Sequence, residues 1–114
     1  MPTIVQLTAS RFLGGPERQM LGLAQALPQE YKTVFVSFSE KGRCWPFLDE
    51  ARSQGFRAEA LRHDTPRLFA ACRELKTLLR QANAEVVCCR GYKADLIGLR
   101  AARKLDIPVI AVSH

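Results

Sequence analysis

The residues of this chain best suited to chemistry stand just after its apolar runs. "LTASRFLGGPERQM" (7–20) carries Arg11, Gly14 and Gly15; "VVCCRGYK" (86–93) carries Arg90, Gly91 and Lys93; and "VIAVSH" (109–114) ends on His114. Cations and bare backbone N–H groups both serve anions. Gly14 and Gly15 come immediately before a helical pattern, where unpaired N–H groups and the helix dipole favour a phosphate or carboxylate. A side chain there would hold such a group away from the backbone, and Pro16 presets the first helical turn without wasting a donor. A turn that needs positive φ would also select glycine, and the local sequence leaves both readings open. Arg11, Arg90 and Lys93 are expected to converge on an anion from the two sides of one crevice.

Other constellations carry less. "FLGGPERQM" has two glycines in a row and no third, so the G-x-G-x-x-G fingerprint is absent, as is G-x-x-x-x-G-K-[ST]. Glu40 could imitate a ribose-gripping carboxylate, but one acid after a strand reads as a solvated loop residue. A dinucleotide oxidoreductase is therefore poorly supported. His63 and Asp64 adjoin in a loop, where neighbours rarely orient each other, and they read as the approach to a helix cap at Thr65-Pro66. Cys44, Cys72, Cys88 and Cys89 have neither C-x-x-C nor zinc spacing; they read as buried, reduced thiols without chemistry.

The elements that must position these residues alternate. "TIVQLT" (3–8), "KTVFVSF" (32–38), "FRAEALR" (56–62), "AEVVCC" (84–89) and "IPVIAVS" (107–113) read as strands, the second and last as buried ones. Between them run helical patterns. Met20, Leu23, Ala24 and Leu27 share one face, and Phe47, Leu48 and Ala51 another, with Gly55 as the stop. Leu68, Cys72, Leu75 and Leu79 make a stripe after Thr65-Pro66. Ala94, Ile97, Gly98, Ala101 and Leu105 make the last, opposite Lys93, Arg100, Arg103 and Lys104. Strict β-α alternation demands parallel strands with right-handed crossovers. A Rossmann-like, doubly wound, three-layer α/β/α sheet of order 3-2-1-4-5 follows, with its crevice between the first and fourth strands.

The 114 residues make one domain, with 47% apolar and 25% charged residues, the balance of a soluble globular protein. No apolar run has the length of a membrane span and no signal-peptide leader is seen. Seventeen Lys and Arg against eleven Asp and Glu give a net charge of +6, which suits acidic partners. The basic residues are spread along the chain, and scattered cations are usually solvated helix faces.

"TIVQLTASRFLGGPERQMLGLAQAL" and "VVCCRGYKADLIGLRAARKLDIPVIAVSH" together resemble the N-terminal half of GT-B glycosyltransferases, in the large retaining family called family 4 or group 1. Gly14-Gly15-Pro16-Glu17, Gly91-Tyr92-Lys93-Ala94, and Ile107-Pro108-Val109-Ile110 through His114 match the family pattern in order and spacing, over essentially the whole chain. Some relatives have histidine where this chain has Arg90. The resemblance implies transfer of a sugar from a nucleotide diphosphate sugar to an acceptor, with retention of configuration. It implies no metal and no cofactor beyond the sugar nucleotide as co-substrate. In such enzymes the N-terminal domain holds the acceptor and a second Rossmann domain holds the nucleotide. Gly14 and Gly15 would approach the donor diphosphate, the catalytic His114 would contact the donor sugar, and Arg90 to Lys93 would line the cleft.

The family continues beyond the position of His114 into a nucleotide-binding domain with an E-x₇-E element. Residues 1–114 are thus expected to be the truncated acceptor-side domain, inactive alone. The expected partners are a sugar nucleotide, a saccharide or lipid-linked acceptor and the missing domain, with no nucleic acid. A cytoplasmic place at the inner membrane face would suit the charge, and an open fifth strand could pair with a second copy. The competing reading is a non-catalytic Rossmann-like module for a phosphorylated ligand or protein partner.

Overall fold

The computed structural model describes residues 2–64 and 66–112. Five parallel strands form one sheet: β1 (Thr3–Thr8), β2 (Lys32–Phe38), β3 (Arg57–Leu61), β4 (Val86–Arg90) and β5 (Val109–Val112), in the order β3-β2-β1-β4-β5. Helices α1 (Gly15–Ala26), α2 (Trp45–Ser53), α3 (Leu68–Ala82) and α4 (Tyr92–Lys104) make the crossovers. The expected fold class and strand order are both found. Among the described residues no helix is long and apolar enough to cross a membrane.

Because strand side chains alternate, each buried strand feeds two cores. Val5, Leu7, Val34, Val36, Phe38 and Val87 pack against Leu75 and Leu79 of α3 and Ala94, Ile97 and Ala101 of α4. On the opposite face Phe35 packs with Met20 and Leu21 of α1 and Phe47 and Leu48 of α2. Phe35 meets the Phe47 and Phe56 rings edge-on, at centroid distances of 5.5 and 5.3 Å, the arrangement that ring quadrupoles favour. Arg52 at the end of α2 donates from Nε and Nη2 to the Ala58 carbonyl (3.0 and 2.7 Å), tying α2 to β3.

Four details differ from the sequence reading. The inward face of α1 is Met20, Leu21 and Ala24, whereas Leu23 and Leu27 are exposed. The periodic pattern fits two overlapping faces that share Met20 and Ala24, and packing against Phe35 selects the one carrying Leu21. Helix α3 begins at Leu68 rather than at Thr65-Pro66; Pro66 lies in a turn, and Thr65 is outside the described residues. β5 is not buried: Ile110 is 52% exposed, because an edge strand has one neighbour. Lys93, expected on the solvated side of α4, is largely enclosed.

Gly98 is where α4 lies closest to the sheet. A Cβ there would stand 2.3 Å from the Cys89 sulfur and 3.1 Å from a Leu7 methyl. At Gly22, on the exposed face of α1, a Cβ meets nothing within 4 Å. Overpacking costs about 1–3 kcal/mol, and alanine is about 1 kcal/mol better than glycine in a helix. Gly98→Ala is expected to destabilise the chain by up to about 2 kcal/mol, and Gly22→Ala to stabilise it by about 0.5–1 kcal/mol. Urea unfolding of the two variants checks this; equal shifts at both positions would refute close packing at Gly98.

Candidate functional site

The carboxyl edge of the sheet is organised by its exit loops. After β1, the buried Ser10 donates its N–H to Ser37 Oγ (3.1 Å), and Ser37 Oγ donates to the Phe38 carbonyl (2.9 Å). These serines are internal struts that bind the first exit loop to β2. After β2 the chain turns through Glu40, Lys41 and Gly42, whose φ values are 46°, 57° and 85°. Glycine tolerates that region, but Glu and Lys are strained there by about 1–2 kcal/mol each. One tertiary and one local bond hold the turn: Glu40 N–H donates to Asp64 Oδ2 at 3.1 Å, and Gly42 N–H to the Ser39 carbonyl at 2.8 Å.

Lys93, in the first turn of α4, reaches across to that loop. Gly91 has φ 96°, which lets β4 turn directly into α4 and sets Lys93 two residues later. The ammonium donates to Glu40 Oε2 at 3.0 Å and to Asp64 Oδ1, and lies 4.8 Å from the centre of the Phe38 ring. Side-chain exposure is 22% for Lys93, 11% for Glu40 and 17% for Asp64. Burial pushes the Lys93 pKa down, but the hydrogen bonds and charges of Asp64 and Glu40 outweigh it, and the net shift is upward. Arg11 adds an ion pair to Glu40 (Nε to Oε1, 3.3 Å), but at 65% exposure it contributes little.

The loop after β3 is anchored separately. Glu74 of α3 accepts the backbone N–H groups of Arg62 (2.8 Å) and His63 (3.0 Å) and faces His63 Nδ1 at 3.1 Å. His63 thus turns toward α3 while Asp64 turns toward Lys93, so the two neighbours form no pair with each other.

These loops enclose a cavity of about 700 Å³ beside the point where strand order reverses. Its lining includes six basic side chains (Arg11, Lys41, Arg43, Arg62, Arg67 and Lys93) and two acids, Glu40 and Asp64. The expected convergence of Arg11, Arg90 and Lys93 on an anion needs correction. Arg11 and Lys93 do meet, but on Glu40; an enclosed ammonium is stable only beside carboxylates. Arg90 does not line this cavity, and its Nε is enclosed without a hydrogen-bond partner among the described residues. Glu40 is no solvated loop residue. Acids just after β2 and β3, facing a lysine just after β4, were the available signal for this cluster.

Gly14 and Gly15 both lack positive φ, so no left-handed turn demands them. Gly14 caps α1 and donates its N–H to Glu17 Oε1 (3.1 Å); a Cβ there would lie 2.3 Å from the Phe12 ring, whereas Gly15 has open space. β1 and β4 are neighbours, so this turn and the Arg90-Gly91 turn emerge side by side. His114, the expected catalytic residue, lies outside the described residues. Cys89 is pushed up to about 12 by burial, with Asp95 and Cys88 adding to it, so its thiol is inert at neutral pH. Among the described residues no three His, Cys, Asp or Glu side chains stand together as a metal site would need. The basic residues are less scattered than their spacing suggests: Arg73, Lys76, Arg100, Arg103 and Lys104 gather along a groove between α3 and α4.

Lys93→Met would leave two enclosed carboxylates facing each other, a loss of about 1–3 kcal/mol at pH 7. Because the native Lys93 pKa lies above the ordinary 10.5, its contribution is complete below that pH and fades as pH rises through the native value. The stability gap between the native chain and Lys93→Met is therefore expected to be flat from about pH 7 to pH 10 and to narrow above that. Urea titrations across this range test it; a gap that stays constant into stronger alkali contradicts the ion-pair account.

The fold has counterparts among solved structures. Acinetobacter baumannii MurG is 18% identical with a TM-score of 0.70, over 99% of this chain and 35% of that one. UDP-GlcNAc 2-epimerase from Neisseria meningitidis, bound to UDP-GlcNAc, is 16% identical with a TM-score of 0.71, over 96% and 31%. S. aureus MnaA in complex with UDP is 18% identical with a TM-score of 0.71, over 98% and 31%. The chain thus spans about a third of the length of each. No curated protein matches it by sequence. Residues 14–114 match the glycosyl transferase 4-like domain, and the chain belongs to that family.

Proposed function

We propose that this domain is the acceptor-binding wall of a retaining, family 4 sugar-transferring enzyme that uses a nucleotide diphosphate sugar. The observation that carries the proposal is the 700 Å³ cavity at the carboxyl edge, lined from the loops after β1, β2 and β3 and by Lys93 just after β4. Its size suits a short saccharide. Donor diphosphate would approach Gly14 and Gly15, with Arg90 and Gly91 opposite and His114 on the donor sugar. The unpaired Arg90 Nε supports an anion on that side. Two of the similar structures hold UDP or UDP-GlcNAc, which supports the co-substrate class.

The chemistry would rest on positioning and on electrostatic stabilisation of the departing diphosphate. Glu40, Asp64 and Lys93 would keep the acceptor side rigid, so that little reorganisation accompanies transfer. A second wall would be needed to exclude water and to hold the donor.

Amide-shift titration of the chain tests this reading. Short saccharides are expected to move residues 39–43, 62–64 and 93, and UDP to move residues 14–17. Single-turnover mixtures of UDP-GlcNAc, saccharide and the chain alone are expected to give no transfer product. Shifts of the 39–64 loops by UDP, with none from any saccharide, would instead indicate a non-catalytic nucleotide-binding module. Robust product from the chain alone would overturn the two-wall account.

A further inference from the structure

The cavity's charges divide into two sets. Glu40 and Asp64, its two acids, are both engaged with Lys93, and Glu40 also with Arg11. Lys41, Arg43, Arg62 and Arg67 also line the cavity, and none of them has an ion-pair partner among the described residues. The left-handed turn creates this division. With φ of 46° and 57° at successive residues, Glu40 is folded inward to 11% side-chain exposure while Lys41 remains exposed at the rim. Strain at two non-glycine residues is retained where the surrounding contacts over-determine it, and such positions cluster at binding sites.

The lining also lacks the aromatic face on which a neutral sugar would stack. No Phe, Tyr or Trp is among its described residues, so no aromatic face of those types is offered for a pyranose ring. The carboxylates that would otherwise accept hydroxyl protons already receive the Lys93 ammonium. Besides Ser39 and His63, the lining offers four cationic side chains around one opening, two of them on the turn after β2 and two flanking the loop after β3.

We propose that the acceptor taken by this cavity is anionic, a saccharide bearing carboxylate or phosphate groups, selected by Lys41, Arg43, Arg62 and Arg67. This rests on the acceptor-wall reading and narrows it to a substrate class. Guanidinium groups suit either anion through paired N–H donors. Glu40 and Asp64 serve as the fixed, neutralised floor that holds the two loops at the right separation.

Calorimetric titration of the chain with trigalacturonate, with glucose 6-phosphate and with neutral maltotriose separates the cases. At least one anionic probe is expected to bind about tenfold or more tightly than maltotriose at low salt. That preference should shrink several-fold at about 0.5 M salt, where charges are screened within a few ångströms. Binding by trigalacturonate alone assigns carboxylates, and by glucose 6-phosphate alone, phosphates; either supports the proposal. Arg43→Ser/Arg62→Ser/Arg67→Ser should abolish the preference, and the matching triple lysine variant should retain most of it, with circular dichroism confirming both are folded. Equal binding of charged and neutral probes, or an unchanged preference in the triple serine variant, overturns the anionic acceptor while leaving the acceptor wall standing. No binding by any of the three probes removes the proposal together with the acceptor-wall reading.

Discussion

A lysine ammonium held between two carboxylates, on top of an aromatic ring, sets the geometry of the carboxyl edge. Lys93 belongs to α4, Glu40 to the turn after β2 and Asp64 to the loop after β3, so one cation joins three segments distant in sequence. None of the three would be stable in its enclosed place without the others, since an unpaired enclosed charge costs several kcal/mol. The Glu40 N–H bond to Asp64 closes the arrangement and keeps the left-handed turn in place. Glu74, accepting from the backbone after β3, adds a second anchor from α3.

That clamp explains why the cavity has the electrical character it has. A neutralised floor and a rim of cations without ion-pair partners among the described residues differ from a simple basic patch, because the floor's charges cancel and the rim's do not. The glycine turn contributes on the other side of the strand-order reversal. There the closeness of the Phe12 ring at Gly14, and the Glu17 carboxylate on the Gly14 N–H, show a capped helix start that an incoming anion would have to uncap.

Much of the fold was legible. "KTVFVSF" announced a strand covered on both faces, and Phe47, Leu48 and Ala51 announced the inward side of α2; both are as expected. Misreadings came where local pattern admits more than one answer. Leu23 and Leu21 both fit a helical stripe, and only the position of Phe35 decides between them. "VIAV" reads as a buried strand by composition, yet it has one sheet neighbour and Ile110 stands open. Lys93 looked like a solvated cation because its two carboxylate partners lie 53 and 29 residues away.

By itself the sequence determined the alternation of strands and helices, the parallel sheet, and the gathering of glycines and cations at strand exits. These follow from short-range periodicity and from the chirality of crossovers, which act within a few tens of residues. Only the tertiary structure decided which charges cancel and which remain available. Coulomb energies depend on distance and burial rather than on spacing along the chain, and the loops that bring Glu40, Asp64 and Lys93 together are set by the packed sheet beneath them.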